Sequence, residues 1–180
     1  MTYPFSAGAT LTAAGMNTIG LFHIKTQAVS GTPSSVTVTS AFSADYEIYR
    51  IVGYGLATSA AGNDVEMELG GGGSHTSNYY GSTTKRSYNA GAVFTNYQNT
   101  GPMPIAVDNT VGGAVTIDVT LYGPQVVGYT AWAQKGAGLR AYDVNGWYNA
   151  ITQFTSVTFE CTTGNWTAGQ FRVYGVADGA

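Results

Sequence analysis

The sequence predicts an all-β protein, a jelly-roll-like antiparallel β-sandwich preceded by a short N-terminal arm. Three observations predict it. Short runs of alternating apolar and polar residues recur along the chain, separated by Gly, Pro and Asn turns. No amphipathic helical pattern of useful length interrupts them. The composition is 44% hydrophobic but only 9% charged, so the chain builds a core and carries its polarity on Ser, Thr, Asn, Gln and Tyr. A chain of 180 residues fits one domain and is long enough to bury a core without staples.

Residues 1–20 are rich in Ala, Gly and Thr and lack strand alternation. Leu11, Ala14 and Ile19 fit a short helical turn capped by Thr10 or Thr12, and the segment reads as an arm that docks on a partner. Residues 21–180 form the sandwich. Phe22, Ile24 and Thr26 alternate with His23, Lys25 and Gln27, and Gly31-Thr32-Pro33 ends that strand. Ser35–Ser40, Glu47–Leu56 and Val65–Leu69 follow, rich in branched and aromatic residues. Gly70–Gly73 predicts a loop, and the polar stretch from His75 to Tyr88 reads as loop-like. Gly101-Pro102-Met103-Pro104 predicts a turn. Ala114–Tyr122 is the cleanest strand and is ended by Gly123-Pro124. Val126–Gln134, Leu139–Tyr148, Phe154–Cys161 and Gln170–Val176 complete eight to ten strands.

The charge pattern narrows the partners. Seven Lys and Arg stand against ten Asp and Glu, a net charge of -3, and the basic residues are scattered with only Lys85-Arg86 adjacent. Nucleic-acid binding needs a basic stripe to neutralise phosphates, so nucleic acid is not an expected partner. No run of 18 apolar residues predicts membrane insertion. The N-terminus carries neither a basic n-region nor a continuous apolar h-region, which points to synthesis in a cytoplasm. Cys161, the single cysteine, reads as a buried thiol within a strand.

Motifs for chemistry are sparse. The Gly70–Gly73 run lacks the Lys and helix of a phosphate loop. His23, His75 and Cys161 are too dispersed for zinc. Asp143-Val144-Asn145-Gly146 is a fragment of a calcium loop without its remaining acids, and a hairpin turn at Asn145-Gly146 explains it better. Glu66 and Glu68 share a strand face at a spacing of roughly 7 Å, compatible with a glycosidase pair, but a shared face does not supply the pKa separation such a pair needs, and a solvated face is the preferred reading. No Gly-x-Ser-x-Gly elbow is present. The reading is a protein that is not an enzyme and needs no cofactor or metal.

Aromatic residues are the remaining signal, with 13 Tyr, 7 Phe and 3 Trp. Tyr79, Tyr80 and Tyr88 fall in the polar stretch. They fit a receptor or subunit contact surface, since Tyr offers a rigid apolar ring with a polar tip, and they equally fit cross-strand packing. With Trp132, Trp147 and Trp166 they are candidates to stack on sugar rings.

Several short motifs occur in order along most of the chain. Phe5-Ser6-Ala7-Gly8, Leu11-Thr12-Ala13 and Met16-Asn17 form the first. Ala41-Phe42-Ser43-Ala44-Asp45-Tyr46 with Glu47-Ile48-Tyr49-Arg50-Ile51 forms the second, and Leu69 to Tyr80 the third. Phe154-Thr155-Ser156-Val157 and Phe171-Arg172-Val173-Tyr174-Gly175 close the series. Together they resemble the structural proteins of tailed-bacteriophage virions, fibre-like or capsid-decoration domains that open on an F-x-A-G-x-x-L-T-A segment. The resemblance implies a virion surface protein with a compact β-domain, commonly a homotrimer. It implies that Phe5, Leu11, Met16 and Asn17 attach the chain to other proteins of capsid or tail. It carries over no catalytic residue. Such segments often belong to longer fibres, and the shortness of this chain favours a decoration protein or short appendage. The alternative reading is a carbohydrate- or receptor-binding module for adsorption to a host surface glycan, with Tyr79, Tyr80, Tyr88, Trp132 and Trp147 as candidate contacts.

Overall fold

The structure, a computed structural model, describes residues 19–70, 76–87, 91–108, 114–137 and 140–178. Among these residues there is no helix. Twelve strands follow in chain order: β1 (Ile19–Ala28), β2 (Ser35–Val38), β3 (Ile48–Thr58), β4 (Asn63–Gly70), β5 (Tyr79–Ser87) and β6 (Gly91–Thr100), then β7 (Met103–Asp108), β8 (Ala114–Tyr122), β9 (Thr130–Ala137), β10 (Arg140–Tyr148), β11 (Ser156–Cys161) and β12 (Trp166–Asp178). They form two antiparallel sheets. The larger has eight strands in the order β1-β12-β3-β8-β9-β10-β5-β6, the smaller four in the order β2-β11-β4-β7. The expected β-sandwich is the fold.

Period-two patterning explains why these residues form these strands. Val115, Ile117, Val119 and Leu121 of β8 are buried while the residues between them are exposed or half-buried. The inner faces of both sheets interdigitate in one apolar core. Phe159 of β11 stacks on Phe171 of β12 with ring centroids 4.3 Å apart, and Trp166 meets Phe171 edge-on at 5.5 Å. The Trp166 indole Nε1–H donates to the Phe159 carbonyl at 3.1 Å, so a large buried ring keeps its polar atom satisfied. Burying each such ring contributes about 2–3 kcal/mol.

Where strand regularity fails, glycine permits it. In β3 two consecutive exposed positions, Tyr54 and Gly55, break the alternation, and Gly55 adopts φ 58°. Opposite it in β12, Gly169 sits at φ 106°, and a Cβ there would lie 2.7 Å from the Leu56 Cα. These are facing β-bulges whose backbones touch.

The structure corrects several boundaries. The stretch after His75 is a strand, β5, and it pairs with a second unexpected strand, β6. The strand β6 is the edge of its sheet, with most of its side chains exposed on both faces. Met103-Pro104 opens strand β7, with Pro104 tolerated at a register shift on that sheet's edge. Asn145-Gly146 is the middle of β10. The ninth strand starts at Thr130, because Val127 and Tyr129 are exposed in the connection before it. The first strand begins at Ile19, inside the segment assigned to the arm, and the rest of that segment lies outside the described residues. Cys161 is buried, as expected.

Candidate functional site

The small sheet packs on the inner face of the large one, and among the described residues no strand covers the outer face. On that face three strands, β6, β5 and β10, present aligned side chains. Ser82 lies opposite Asn96 on one side and Asn145 on the other. One step along, Tyr80 lies opposite Trp147. Their rings stack at 5.7 Å between centroids with only 15° between planes. Trp147 is 46% exposed, so this flat apolar pair faces water.

Beside it is a cleft of about 770 Å³. Tyr80, Trp147, Ser82, Asn96, Gln98 and Asn145 line it, with Gly81 and Gly146 in its floor. The floor explains the sequence. Gly81 and Gly146 are register partners, and a Cβ on Gly146 would stand 2.5 Å from the Tyr80 carbonyl oxygen and 2.6 Å from Trp132 Cζ2. A Cβ on Gly81 would stand 2.5 Å from the Asn145 carbonyl oxygen. The missing side chains let the Trp132 indole lie across the inner side of the sheet. Its Nε1 is buried with no hydrogen-bond partner among the described residues.

The cleft's lining includes no carboxylate, Lys, Arg or His. It offers ring faces, amides and hydroxyls, the groups that recognise a neutral hydroxylated surface rather than move protons. A second cleft of about 380 Å³ adjoins it through Asn145 and is charged. There Arg50 donates from Nε and Nη2 to the two Asp118 carboxylate oxygens at 2.8 and 2.6 Å. This pairing holds the guanidinium above its ordinary pKa, through the hydrogen bond and then the charge of Asp118.

The structure brings together two of the residues singled out from sequence, Tyr80 and Trp147. It corrects two others. Tyr79 is fully buried, and its hydroxyl accepts the Leu69 N–H at 2.7 Å, tying β5 to β4 across the sandwich. Burial pushes its phenol well above the usual tyrosine range. Trp132 is 2% exposed. Period two decides both cases: Tyr79 and Tyr80 are neighbours in sequence and therefore point to opposite faces. Trp166 belongs to the core. Tyr88, Phe5, Leu11, Met16 and Asn17 lie outside the described residues. Glu66 faces Glu160 across the β4–β11 pair and Glu68 faces Thr158, on the small sheet and away from these clefts. Burial and then Glu160 raise the Glu66 carboxyl above its ordinary value.

Sequence reasoning missed Asn96, Gln98 and Asn145. The alternation Phe94, Asn96, Gln98 against Thr95, Tyr97 was the available signal. Among the described residues no group of three His, Cys, Asp or Glu side chains is placed to hold a metal ion, and no helix is long and apolar enough to cross a membrane.

Fold and site together define a class: a two-sheet β-sandwich with an aromatic, amide-lined cleft on its open face. Searches among family models, curated proteins and solved structures find no match to the chain.

Proposed function

We propose that the protein is a non-enzymatic adhesion module of a virion surface, and that the Tyr80–Trp147 cleft binds a saccharide of the host surface. The observation that carries the binding half is the nearly parallel stack of half-buried Tyr80 on exposed Trp147 beside amide side chains. A sugar ring has an apolar face of C–H groups that packs on an aromatic ring, and hydroxyls at its rim that bond Asn and Gln amides. The virion half rests on the resemblance of the motifs at residues 5–17, 41–51, 69–80, 154–157 and 171–175, which also supports assembly as a homo-oligomer attached through the N-terminal segment.

Trp147→Ala tests the binding half. The variant is expected to fold like the parent and to lose retention on the glycans that the parent selects from an array. Unchanged retention overturns the assignment of the cleft. For the virion half, deletion of residues 1–20 is expected to abolish incorporation into particles, and light scattering of the purified chain is expected to give a trimer. Normal incorporation of the deletion removes the attachment role.

A further inference from the structure

The charges of this chain are sorted by sheet. All seven Lys and Arg residues lie in strands of the eight-stranded sheet, which holds only Asp118, Asp143 and Asp178 in return. The four-stranded sheet has no Lys or Arg, yet carries Asp64, Glu66, Glu68, Asp108 and Glu160. Asp45 and Glu47 lie in the connection before β3. A chain with a net charge of -3 therefore has one sheet with a surplus of positive charge. Uniform scatter of the same residues would not polarise the sandwich.

Register places four of the cations on the open outer face. Arg50, Arg86, Lys135 and Arg172 alternate with the buried residues of β3, β5, β9 and β12. Two are matched: Arg50 with Asp118, and Arg86 with Asp143 at 2.7 Å. Arg172 lies over the Tyr54 ring at 4.6 Å. Lys135 stands between Asp118 and Asp143 in the ladder, but an arginine already engages each of these carboxylates. Lys135 is exposed and forms no ion pair among the described residues.

The three depressions on this face are contiguous. The aromatic cleft shares Asn145 with the cleft at Arg50 and Lys135. That cleft shares Asp118 and Lys135 with a third, of about 490 Å³, which reaches Tyr54. One groove thus runs from the Tyr80–Trp147 platform past Lys135 to the Tyr54–Arg172 pair. Trp147 and Lys135 lie about four residues apart along the ladder, roughly 14 Å by strand rise, a span that no single sugar ring covers.

We infer that the groove takes an extended anionic oligosaccharide, with a sugar ring on Trp147 and an acidic substituent (carboxylate, sulfate or phosphate) on Lys135. This rests on the saccharide reading proposed above and adds its charge and length. Lys135 supplies a mobile point charge to meet such a group, and the surplus charge of the sheet attracts a polyanion that the acidic sheet repels.

The experiment compares polymers with the same backbone, charged and neutral. The probes are polygalacturonate against its methyl ester, polysialic acid against its carboxyl-reduced form, and teichoic acid against its dephosphorylated glycan, with poly-glutamate as a non-sugar polyanion. The full chain is tested alongside Lys135→Gln and Trp147→Ala, with thermal melting as the check on folding. Expected is binding of at least one charged glycan over its neutral partner, weakened roughly tenfold by Lys135→Gln, the scale of one charge-assisted hydrogen bond. Added salt should weaken that binding too. Equal binding of charged and neutral forms, or an unchanged Lys135→Gln affinity, overturns the anionic inference and leaves the saccharide reading standing. Binding that survives Trp147→Ala overturns the assignment of the saccharide to the Tyr80–Trp147 cleft. Poly-glutamate binding as tight as any glycan's overturns the sugar and assigns the groove to acidic protein surfaces. No binding to any probe overturns both.

Discussion

The eight-stranded sheet is built differently at its two ends. At one end, around β12, the rings of Phe159, Phe171 and Trp166 lock together with the Trp166 indole N–H bonded. At the other end β10, β5 and β6 run to the edge of the large sheet, with β7 of the small sheet packed against β9, β10 and β5. There Trp132 Nε1 and both amide atoms of Gln134 are buried without partners among the described residues, and Val93 and Phe94 are 54% and 64% exposed. The first end obeys the rules of a stable core. The second departs from them, and it is where the aromatic cleft of Tyr80 and Trp147 lies. Natural folds concentrate such departures at functional surfaces, so the contrast itself argues that the β5–β10 region is shaped for binding.

The contrast breaks most visibly in the packed end. Trp166→Ala removes a fully buried ring and leaves the Phe159–Phe171 stack without its edge contact. A loss of about 3–5 kcal/mol is expected, read as a lower urea midpoint with an unchanged slope. A loss under about 1 kcal/mol would show that the ring stack is not the shared keystone of the two sheets.

A smaller effect is expected in the groove floor. In Gly146→Ala the new Cβ meets the Tyr80 carbonyl oxygen, which is backbone and cannot swing away. The expected cost is about 1–3 kcal/mol, by the overpacking rule. The same substitution should weaken glycan retention, since any relief moves Tyr80 or Trp147. Stability lost with retention intact would separate the floor from the site.

Gln134→Leu is expected to go the other way. Its amide is buried with neither atom bonded among the described residues, so an apolar side chain of similar size removes a desolvation cost. A gain of about 1 kcal/mol in the unliganded protein is expected. A loss instead would mean that the amide has a partner in solution, and the two ends would then obey the same rules after all.

The sequence carried the packed end and concealed the open one. Strands β3, β8, β11 and β12 announce themselves because one face is apolar and the other is not: Val115, Ile117, Val119 and Leu121 read as a strand in any context. Strands β5 and β6 do not: β6 is an edge exposed on both faces, and in β5 the positions in step with buried Tyr79 are Gly81, Thr83 and Lys85, so neither strand has an apolar side to repeat. Tyr79 and Tyr80 could be given opposite roles only once β5 was known to be a strand. Asn145-Gly146 carries the strongest hairpin signal in the chain, yet Gly146 is required by the ring of Trp132, a contact between strands that local sequence does not encode. The sorting of charge between sheets was equally hidden, since the strand pairing gathers residues from Lys25 to Arg172.

The smallest expected effect concerns how the open end meets the small sheet. Asp64 of β4 is half-buried, and burial raises its carboxyl above the ordinary aspartate value, while the charges of Lys85 and Arg140 from β5 and β10 pull it back. The sign follows from proton counting. With the folded value above the unfolded one, there is an interval just above the ordinary aspartate range where the folded state holds a proton that the unfolded state has released. Stability therefore falls as pH rises through that interval and is recovered on acidification. Asp64→Asn should flatten this part of the pH–stability profile and lessen the rise of the Glu66 carboxyl, to which the Asp64 charge contributes after burial and Glu160. Lys85→Gln should steepen it, because removing the cation leaves burial less opposed. A profile that Lys85→Gln leaves untouched would mean that β5 and β4 are electrostatically independent, so that β5 is tied to the small sheet through the Tyr79–Leu69 hydrogen bond and apolar packing and the charge of Arg140 acts on Asp64 from β10 alone.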